Sequence, residues 1–294
     1  MTILGIDWNV SSGLIDGWAT PNKYGLLFVT GLIIGFFVIR RMFKNENVPE
    51  TILDKLLLYM VLATIIGARL GHVFFYGPYF DEVDASGLIL ERGYFSHPQD
   101  ILKVWEGGLA SHGAAVLILI ALWIFSKRVS HKPMIWILDR IAAPIAIAGC
   151  FIRLGNLVNH EIIGTPTNLP WGFRFNQEGA EYLINGEHVF RHPAQLYEAI
   201  FYLLTFALLM YLYWRTQAKH RPGILFGVFM IVLWTGRFLV EFVKVGQTYR
   251  DDHWALNTGQ LLSIPLVIAG IVILYRGLKT PKPGAGNPTL EGAY

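Results

Sequence analysis

Seven stretches of roughly 20 mostly apolar residues restrict how this chain can fold more than any other feature. The hydrocarbon core of a bilayer offers the backbone no water, so a helix of this length is the structure that satisfies its hydrogen bonds. The stretches cover residues 23–41, 55–77, 109–127, 135–155, 193–214, 223–244 and 257–276. We therefore predict an all-α integral membrane protein with about seven transmembrane helices, in a single polytopic domain over residues 1–279.

The composition excludes most other classes of protein. Hydrophobic residues make up 53% of the 294 residues and charged residues only 15%, whereas a soluble domain carries about 25% charge. The single cysteine excludes a disulfide scaffold, and a net charge of +3 is too small to indicate a nucleic-acid partner. Residues 1–22 lack a basic region followed by an apolar core, so we expect no cleavable signal peptide. The tail from 280 to 294, rich in Pro and Gly, is predicted to be disordered.

The basic residues of the short loops predict the orientation of the chain. With the N-terminus outside, 13 of the 24 Lys and Arg residues lie in cytoplasmic regions, 7 lie outside and 4 lie within spans. Cytoplasmic loops of membrane proteins carry such an excess of basic residues. We therefore expect the N-terminus outside and the C-terminus in the cytoplasm.

Two outer segments, 78–108 and 156–192, are longer than a connection between helices requires. The second contains PWGFRFN at 170–176 and EHVFR at 187–191, short runs in which apolar and polar residues alternate as in strands. We interpret both segments as small extracytoplasmic elements. Flexible loops are the alternative.

Four arginines fall inside the spans and cannot be assigned to loops. An arginine at mid-membrane costs about 2.5–3.5 kcal/mol on insertion, so it normally faces protein or water and marks function. Arg140 lies near an inner end beside Asp139, where we expect it to snorkel. Arg69, Arg153 and Arg237 all lie in the last third of spans that run outward, at the depth of the outer leaflet.

The inward-running spans place polar residues at the same depth, near their first turns. Together with the three arginines, this pattern predicts one polar cavity open to the outer leaflet. These residues are Tyr24, Ser111, His112, His192, Gln195, Glu198, Gln260 and Ser263.

Simpler interpretations exist for single residues. Arg237 and Glu241 have the i, i+4 spacing of a structural ion pair on one helix face. Arg153 is followed by asparagines, which are typical of an ordinary helix end, and His112 lies among glycines as an interfacial histidine can. Cys150 is best interpreted as a small packing residue. The other histidines show no metal-ligand spacing, so we expect neither a metal nor another cofactor.

Arginines at the depth of lipid phosphates have an obvious ligand type. A guanidinium group binds phosphate through two parallel hydrogen bonds, and a nearby histidine can move a proton near neutral pH. The residues themselves therefore predict an enzyme or a carrier that acts on an anionic phospholipid from the outer face.

The chain also resembles the prolipoprotein diacylglyceryl transferase family, a family of bacterial inner-membrane enzymes. The resemblance covers nearly the whole chain in order, and RxGNxxNxExxG followed by HPxQLYE is its most specific part. The matching segments are YGLLFVTG at 24–31, GARLGHVFFY at 67–76, WEGGLASHGA at 105–114, RLGNLVNHEIIG at 153–164, RHPAQLYEA at 191–199, GRFLVEFVK at 236–244 and LNTGQLLSIP at 256–265.

The resemblance implies transfer of the diacylglyceryl group of phosphatidylglycerol to the thiol of the lipobox cysteine in a prolipoprotein signal peptide. The products are a thioether-linked lipid and glycerol 1-phosphate, and the reaction starts lipoprotein maturation. By motif, Arg153 and Arg237 match the family's phosphate-handling arginines, and His112 matches its HG histidine. The expected substrate-binding residues are Arg153, Arg237, Tyr24, Asn156, Glu161, Gly164, Arg69, Gln195, Glu241 and Gln260.

Some positions depart from the family pattern. Leu233 stands where the family often has a tyrosine, and the histidine motif reads HGA rather than HGG. Two other classes of function compete with the transferase: a phospholipid transporter or carrier, and a non-catalytic membrane receptor for lipoproteins. Transporters often carry internal repeats, and none is visible in this sequence.

Overall fold

Seven helices long and apolar enough to cross a membrane are present in the described part of the chain, which confirms the predicted number. The computed structural model describes residues 5–15, 21–84, 89–104, 107–176, 183–246 and 256–280. The helix boundaries differ from those of the predicted spans by at most five residues. The orientation of the termini stays a prediction. The helices are α1 (Lys23–Asn45), α2 (Glu50–Phe75), α3 (Ser111–Phe125), α4 (Met134–Val158), α5 (Ala194–Arg215), α6 (Ile224–Val240) and α7 (Thr258–Lys279).

The chain divides into two compact units. Among the described residues, the first comprises those up to Met42 and those from Leu138 onward, and the second comprises those within Phe43–Ile137. The predicted disordered tail, residues 280–294, lies outside the described residues except for its first residue.

Small residues allow the helices of the first unit to approach closely. A Cβ atom added to Gly227 of α6 would lie 2.8 Å from the Cβ atom of Leu274 on α7, and one added to Gly270 would lie 2.8 Å from that of Met230. Between membrane helices such close backbone contact supplies van der Waals attraction that larger residues prevent. Three alanines of α4 join Leu209 in the core of the same unit: Ala142, Ala143 and Ala146.

Asp139 and Arg140 form a buried polar anchor between α4 and α6. The carboxylate of Asp139 accepts hydrogen bonds of 2.7 Å from the backbone N–H groups of Gly223 and Phe226, which open α6. Arg140 is 2% exposed, lies 3.7 Å from Asp139 and donates to the carbonyl oxygen of Lys219 at 2.8 Å. The expectation that Arg140 snorkels is therefore wrong, because internal acceptors satisfy its guanidinium group. A carboxylate at the N-terminus of a helix also interacts favourably with its dipole.

A three-stranded sheet lies beside the end of α4. Strand β1 (Ile6–Trp8) pairs in parallel with β4 (Phe173–Phe175), which pairs antiparallel with β5 (Phe190–Arg191). Both strands of the second outer segment were predicted from alternation, whereas β1, only three residues long, was not. The pairing supports the interpretation of this segment as a small structured element. The sheet is attached to α4 by the indole N–H of Trp8, which donates to the carbonyl oxygen of Leu157 at 3.0 Å.

The second unit is built on the close contact of α2 with α3. A Cβ atom added to Gly113 would lie 2.2 Å from the carbonyl oxygen of Gly67 and 2.5 Å from the Cα atom of Gly71. No larger residue fits at this crossing without moving a backbone. The first outer segment contributes a strand pair, β2 (Glu82–Val83) with β3 (Ile89–Glu91), and a short 3-10 helix at Pro98–Leu102.

Candidate active site

The RLGN motif places a guanidinium group and a carboxylate at the end of α4. Arg153 forms an ion pair with Glu198 of α5, with 3.0 Å between Nε and Oε2, and donates to the side-chain oxygen of Asn156 at 3.3 Å. The amide groups of Asn156 and Asn159 donate to the two carboxylate oxygens of Glu161 at 3.1 and 3.0 Å. Asn156 therefore links Arg153 to Glu161 by hydrogen bonds, and Asn159 adds a second bond to Glu161. The two asparagines do not simply cap a helix end.

The turn after α4 leaves Glu161 exposed. His160 and Ile162 on either side of it have φ angles of 56° and 58°, the left-handed conformation that L residues rarely adopt. His160 is buried, and its Nε2 donates to the carbonyl oxygen of Val10 at 2.9 Å, since a carbonyl group only accepts. This bond anchors the turn from inside the protein.

Tyr24, in the first turn of α1, joins the same group. A Cβ atom added to Gly155 would lie 2.7 Å from ring atom Cδ2 of Tyr24, so the ring lies directly on the backbone of α4. The charges of both Glu161 and Arg153 act electrostatically on its hydroxyl group. The structure thus brings together Tyr24, Arg153, Asn156 and Glu161, four residues of the predicted site.

Gln195 and Gly164 make internal contacts that position this network. Gln195 is fully buried, and its side-chain amide donates to the backbone carbonyl group of Glu161. At Gly164, an added Cβ atom would lie 2.4 Å from the carbonyl oxygen of His192 and 2.7 Å from that of Val243. Glycine is required there because two backbone segments pass on either side.

Arg237 and Glu241 lie on one face at the end of α6. Their closest atoms, Nη2 and Oε1, are 3.7 Å apart, which is longer than a hydrogen bond. The Arg237 side chain is 29% exposed and lies over the ring of Trp234, 5.7 Å from its centroid. Among the described residues its buried Nε has no hydrogen-bond acceptor. The guanidinium group therefore has donors to offer a ligand.

The start of α7 holds Glu241 in place. Asn257 and Gln260 form a reciprocal capping box, with 2.8 Å from the Gln260 N–H to Asn257 and 3.1 Å from the Asn257 N–H to Gln260. The amide nitrogen of Asn257 also donates to a carboxylate oxygen of Glu241 at 3.2 Å. Gly259 permits this approach, since a Cβ atom there would lie 2.5 Å from the Glu241 carboxyl carbon. The structure thus places the oxygen of Gln260 in a helix cap.

The sequence interpretation missed Lys244 as a member of this group, because it counted this residue among the cations of the outer loops. Its side chain is 1% exposed, and Nζ lies 2.9 Å from Glu241 Oε1 and 3.5 Å from Glu198 Oε1. The i, i+3 spacing from Glu241 was one available signal, and the place of Lys244 at the end of the GRFLVEFVK segment was another. We call the resulting series of ion pairs the charge chain; its members, in order of contact, are Arg153, Glu198, Lys244, Glu241 and Arg237.

A small open cleft lies between α5 and α6 at the charge chain. Glu198 and Arg237 supply its charged groups, and the other lining residues are Phe201, Tyr202, Leu233 and Trp234. Leu233 thus gives the cleft an apolar wall.

Arg69, in the second unit, has its donors occupied by backbone carbonyl groups. It is 6% exposed and donates to Ile101 at 2.9 Å, to Gly107 at 2.7 Å and to Asp100. Its guanidinium carbon also lies 5.0 Å from the centroid of the Tyr94 ring. These contacts support a role in shaping the segment before α3 more than a role in binding phosphate.

His112 is the second residue of α3, and its side chain is exposed. The next residue, Gly113, is fixed by the helix crossing described above, so the backbone at His112 is held by packing. Cys150, by contrast, is 5% exposed within α4. Within the described ranges, no three His, Cys, Asp or Glu side chains are grouped so that they can hold a metal ion.

His192, which follows β5, belongs to a hydrogen-bonded group next to Gly164. The indole of Trp171 donates to the hydroxyl oxygen of Tyr197 at 2.9 Å. That hydroxyl lies 3.2 Å from Nδ1 of His192, and since its own proton is free it donates to Nδ1. Burial lowers the pKa of His192, in agreement with a neutral ring.

Seven helices that are long and apolar enough to cross a membrane define a multi-pass membrane protein, and the charge chain lies buried among them. The profile of the prolipoprotein diacylglyceryl transferase family matches residues 17–276. The chain belongs to this family, and it is a membrane transferase.

Relatives from several bacteria agree with this assignment, and each is named phosphatidylglycerol--prolipoprotein diacylglyceryl transferase. The protein from Porphyromonas gingivalis is 44% identical over 284 residues, which cover 94% of this chain and 96% of the relative. The protein from Tolumonas auensis is 40% identical over 273 residues, 92% of this chain and 97% of the relative. The protein from Chloroherpeton thalassium is 38% identical over 275 residues, 93% and 95% of the two chains.

Proposed function

We propose that this chain transfers the diacylglyceryl group of phosphatidylglycerol to the thiol of the lipobox cysteine of prolipoproteins. The reaction forms a thioether, releases glycerol 1-phosphate and is the first step of bacterial lipoprotein maturation. The observation that carries the proposal is the charge chain, in which two arginines are held at opposite ends and Arg237 keeps free donors.

The chemistry needs such groups. Sulfur attacks a glycerol carbon, the bond from that carbon to the phosphate oxygen breaks, and negative charge grows on the departing phosphate. Guanidinium groups that are already in place stabilise this charge best where water is scarce. We assign this role to Arg153 and Arg237, with Tyr24, Asn156 and Glu161 placed to bind the substrate beside Arg153.

The nucleophile must be a thiolate, whereas a free cysteine has a pKa of about 8.5 and is mostly protonated at pH 7. We assign His112 as the base that accepts this proton. Its exposure at the start of α3 leaves its ring nitrogens accessible to a substrate. Orientation of the lipid or the thiol is the alternative role for this residue.

The site faces the outer leaflet of the bacterial inner membrane in this proposal, with the N-terminus outside and one polytopic domain over residues 1–279. The distribution of basic residues over the loops supports this placement. The partners are phosphatidylglycerol, the surrounding lipid and prolipoprotein signal peptides; no cofactor and no nucleic acid takes part.

Purified protein, phosphatidylglycerol and a lipobox peptide test the proposal, with mass spectrometry of both products. We expect the diacylglyceryl adduct of the peptide together with glycerol 1-phosphate, and no adduct when serine replaces the peptide's cysteine. A carrier moves lipid without adduct, and a receptor binds peptide without adduct. Folded protein that forms no adduct overturns the transferase assignment.

A further inference from the structure

We propose that Lys244 is a positioning residue that keeps Arg153 and Arg237 available to the phosphate of the lipid. It does so by binding the two glutamates that would otherwise neutralise them, Glu198 and Glu241. The inference rests on the proposed function and adds to it the residue that sets the charge of the phosphate site.

The distances show how the carboxylates are shared. Glu198 directs Oε2 to Arg153 and Oε1 to Lys244, at 3.0 and 3.5 Å. At Glu241 the same oxygen, Oε1, faces both Lys244 at 2.9 Å and Arg237 at 3.7 Å. Lys244 is therefore the closer cation, and Arg237 remains beyond hydrogen-bonding distance of its own helix partner.

The sum of charges shows what this sharing achieves. The two arginines and two glutamates of the charge chain cancel, and Lys244 adds the one positive charge that remains. Removal of that charge leaves each buried carboxylate with an arginine as its only cation in the charge chain. An opposite charge within about 4 Å competes directly with an incoming anion. The site then loses both its net charge and its free donors.

The backbone holds Lys244 in this position. Gly164 and Lys244 form an antiparallel bridge, and the N–H of Thr165 donates to the carbonyl oxygen of Val243 at 2.9 Å. The N–H of Val245 donates to the carbonyl oxygen of Ile163 at 3.2 Å. The segment that follows the RLGN motif is thus attached to the segment that follows α6. Lys244 is fixed between the two arginine-bearing helices.

The test compares K244M and K244R in the transfer assay, with K55M as the matched control. Lys55 is an exposed lysine of α2, so K55M makes the same chemical change away from the site. We expect K244M to raise the KM for phosphatidylglycerol about 10- to 100-fold with the KM for the peptide unchanged. K244R, which keeps the charge, should stay within about threefold of wild type.

The double variant E198Q/K244M tests the charge argument directly. It removes one carboxylate along with the lysine and restores the net charge of +1, so we expect a lower KM for phosphatidylglycerol than that of K244M. A double variant no better than K244M, or a K244M enzyme with the wild-type KM, overturns the inference. If K244M does not fold, E198Q/K244M is compared with E198Q, and an equal KM overturns the inference.

Wild-type protein that forms no adduct contradicts the proposed function itself. Normal wild-type transfer together with an unaffected K244M contradicts only the role of Lys244. The two failures are therefore distinguishable in one set of measurements.

Discussion

Glu198 forms ion pairs with two cations through its two carboxylate oxygens, Arg153 at 3.0 Å and Lys244 at 3.5 Å, and is only 3% exposed. A buried carboxylate in this position is stabilised by its partners, and each partner depends on it in turn. The arrangement explains why a glutamate lies on α5 at the depth where a phosphate is expected to bind.

Replacement of Glu198 by alanine should therefore destabilise the protein as well as inactivate it. Loss of one partner from a buried ion pair costs about 3–5 kcal/mol, because an uncompensated charge stays behind. Glu198→Gln keeps an acceptor for Arg153 and should be milder. Thermal unfolding in detergent measures the difference, and equal Tm values for the two variants would contradict the interpretation.

Gly164→Ala should lower activity although it removes no functional group. The added methyl group would lie 2.4 Å from the carbonyl oxygen of His192, so the bridge to Lys244 must shift. Gly35→Ala is the milder comparison, since its Cβ atom would lie 3.2 Å from the carbonyl oxygen of Pro144, a smaller overlap. Transfer rates of the two variants give the comparison, and full activity of Gly164→Ala would show that the bridge is dispensable.

Arg69→Ala and Arg237→Ala should differ in stability. Arg69 satisfies several backbone carbonyl groups, so its removal should lower Tm and expose residues 98–104 to limited proteolysis. Arg237 makes few internal contacts, and its removal should leave Tm close to that of wild type. Identical stability in both variants would mean that Arg69 is free to bind substrate, as the sequence first suggested.

His192 should make the stability depend on pH below about 6.5. Burial lowers its pKa from the ordinary value of 6.5, so the folded state prefers the neutral ring that accepts from Tyr197. This contribution is complete above the unfolded pKa and is lost as the pH falls toward the folded value. Tm of wild type should therefore decrease more steeply over this range than Tm of His192→Asn.

Protonation of a carboxylate such as Asp81 affects the stability only at a lower pH than protonation of His192 does. A hydrogen bond from the Gly93 N–H lowers the pKa of Asp81 below 3.8, so its contribution is lost only in stronger acid. Parallel Tm curves for wild type and His192→Asn between pH 7.5 and 5 would remove His192 as the cause.

The membrane fold could be predicted from the sequence because span length and hydropathy follow directly from bilayer thickness. Residues of the predicted site that were identified by motif and belong to the first unit also lie next to one another. Tyr24, Arg153 and Glu161 are examples. Strand β1 was missed although residues 6–10 alternate between apolar and polar, because its partner β4 lies far away in the sequence.

The sequence interpretation erred where a charged side chain pairs with a backbone group or with a residue that is distant in the sequence. Arg140 was expected to snorkel because the sequence shows Asp139 beside it but not the carbonyl group of Lys219. The ligand role of Arg69 stays a prediction; the sequence does not show the backbone carbonyl groups that accept its hydrogen bonds. Lys244 was assigned to a loop because its burial depends on Glu198, 46 positions earlier in the chain.

The transfer rates of Arg153→Ala and Arg237→Ala test the central claim most directly, with lipobox peptide and phosphatidylglycerol as substrates and mass spectrometry of the adduct as readout. We predict that each substitution reduces the rate by about 100-fold or more in inserted protein, as removal of a preorganised donor does in other enzymes. Near wild-type rates in both variants would contradict the assignment of the arginines to the phosphate.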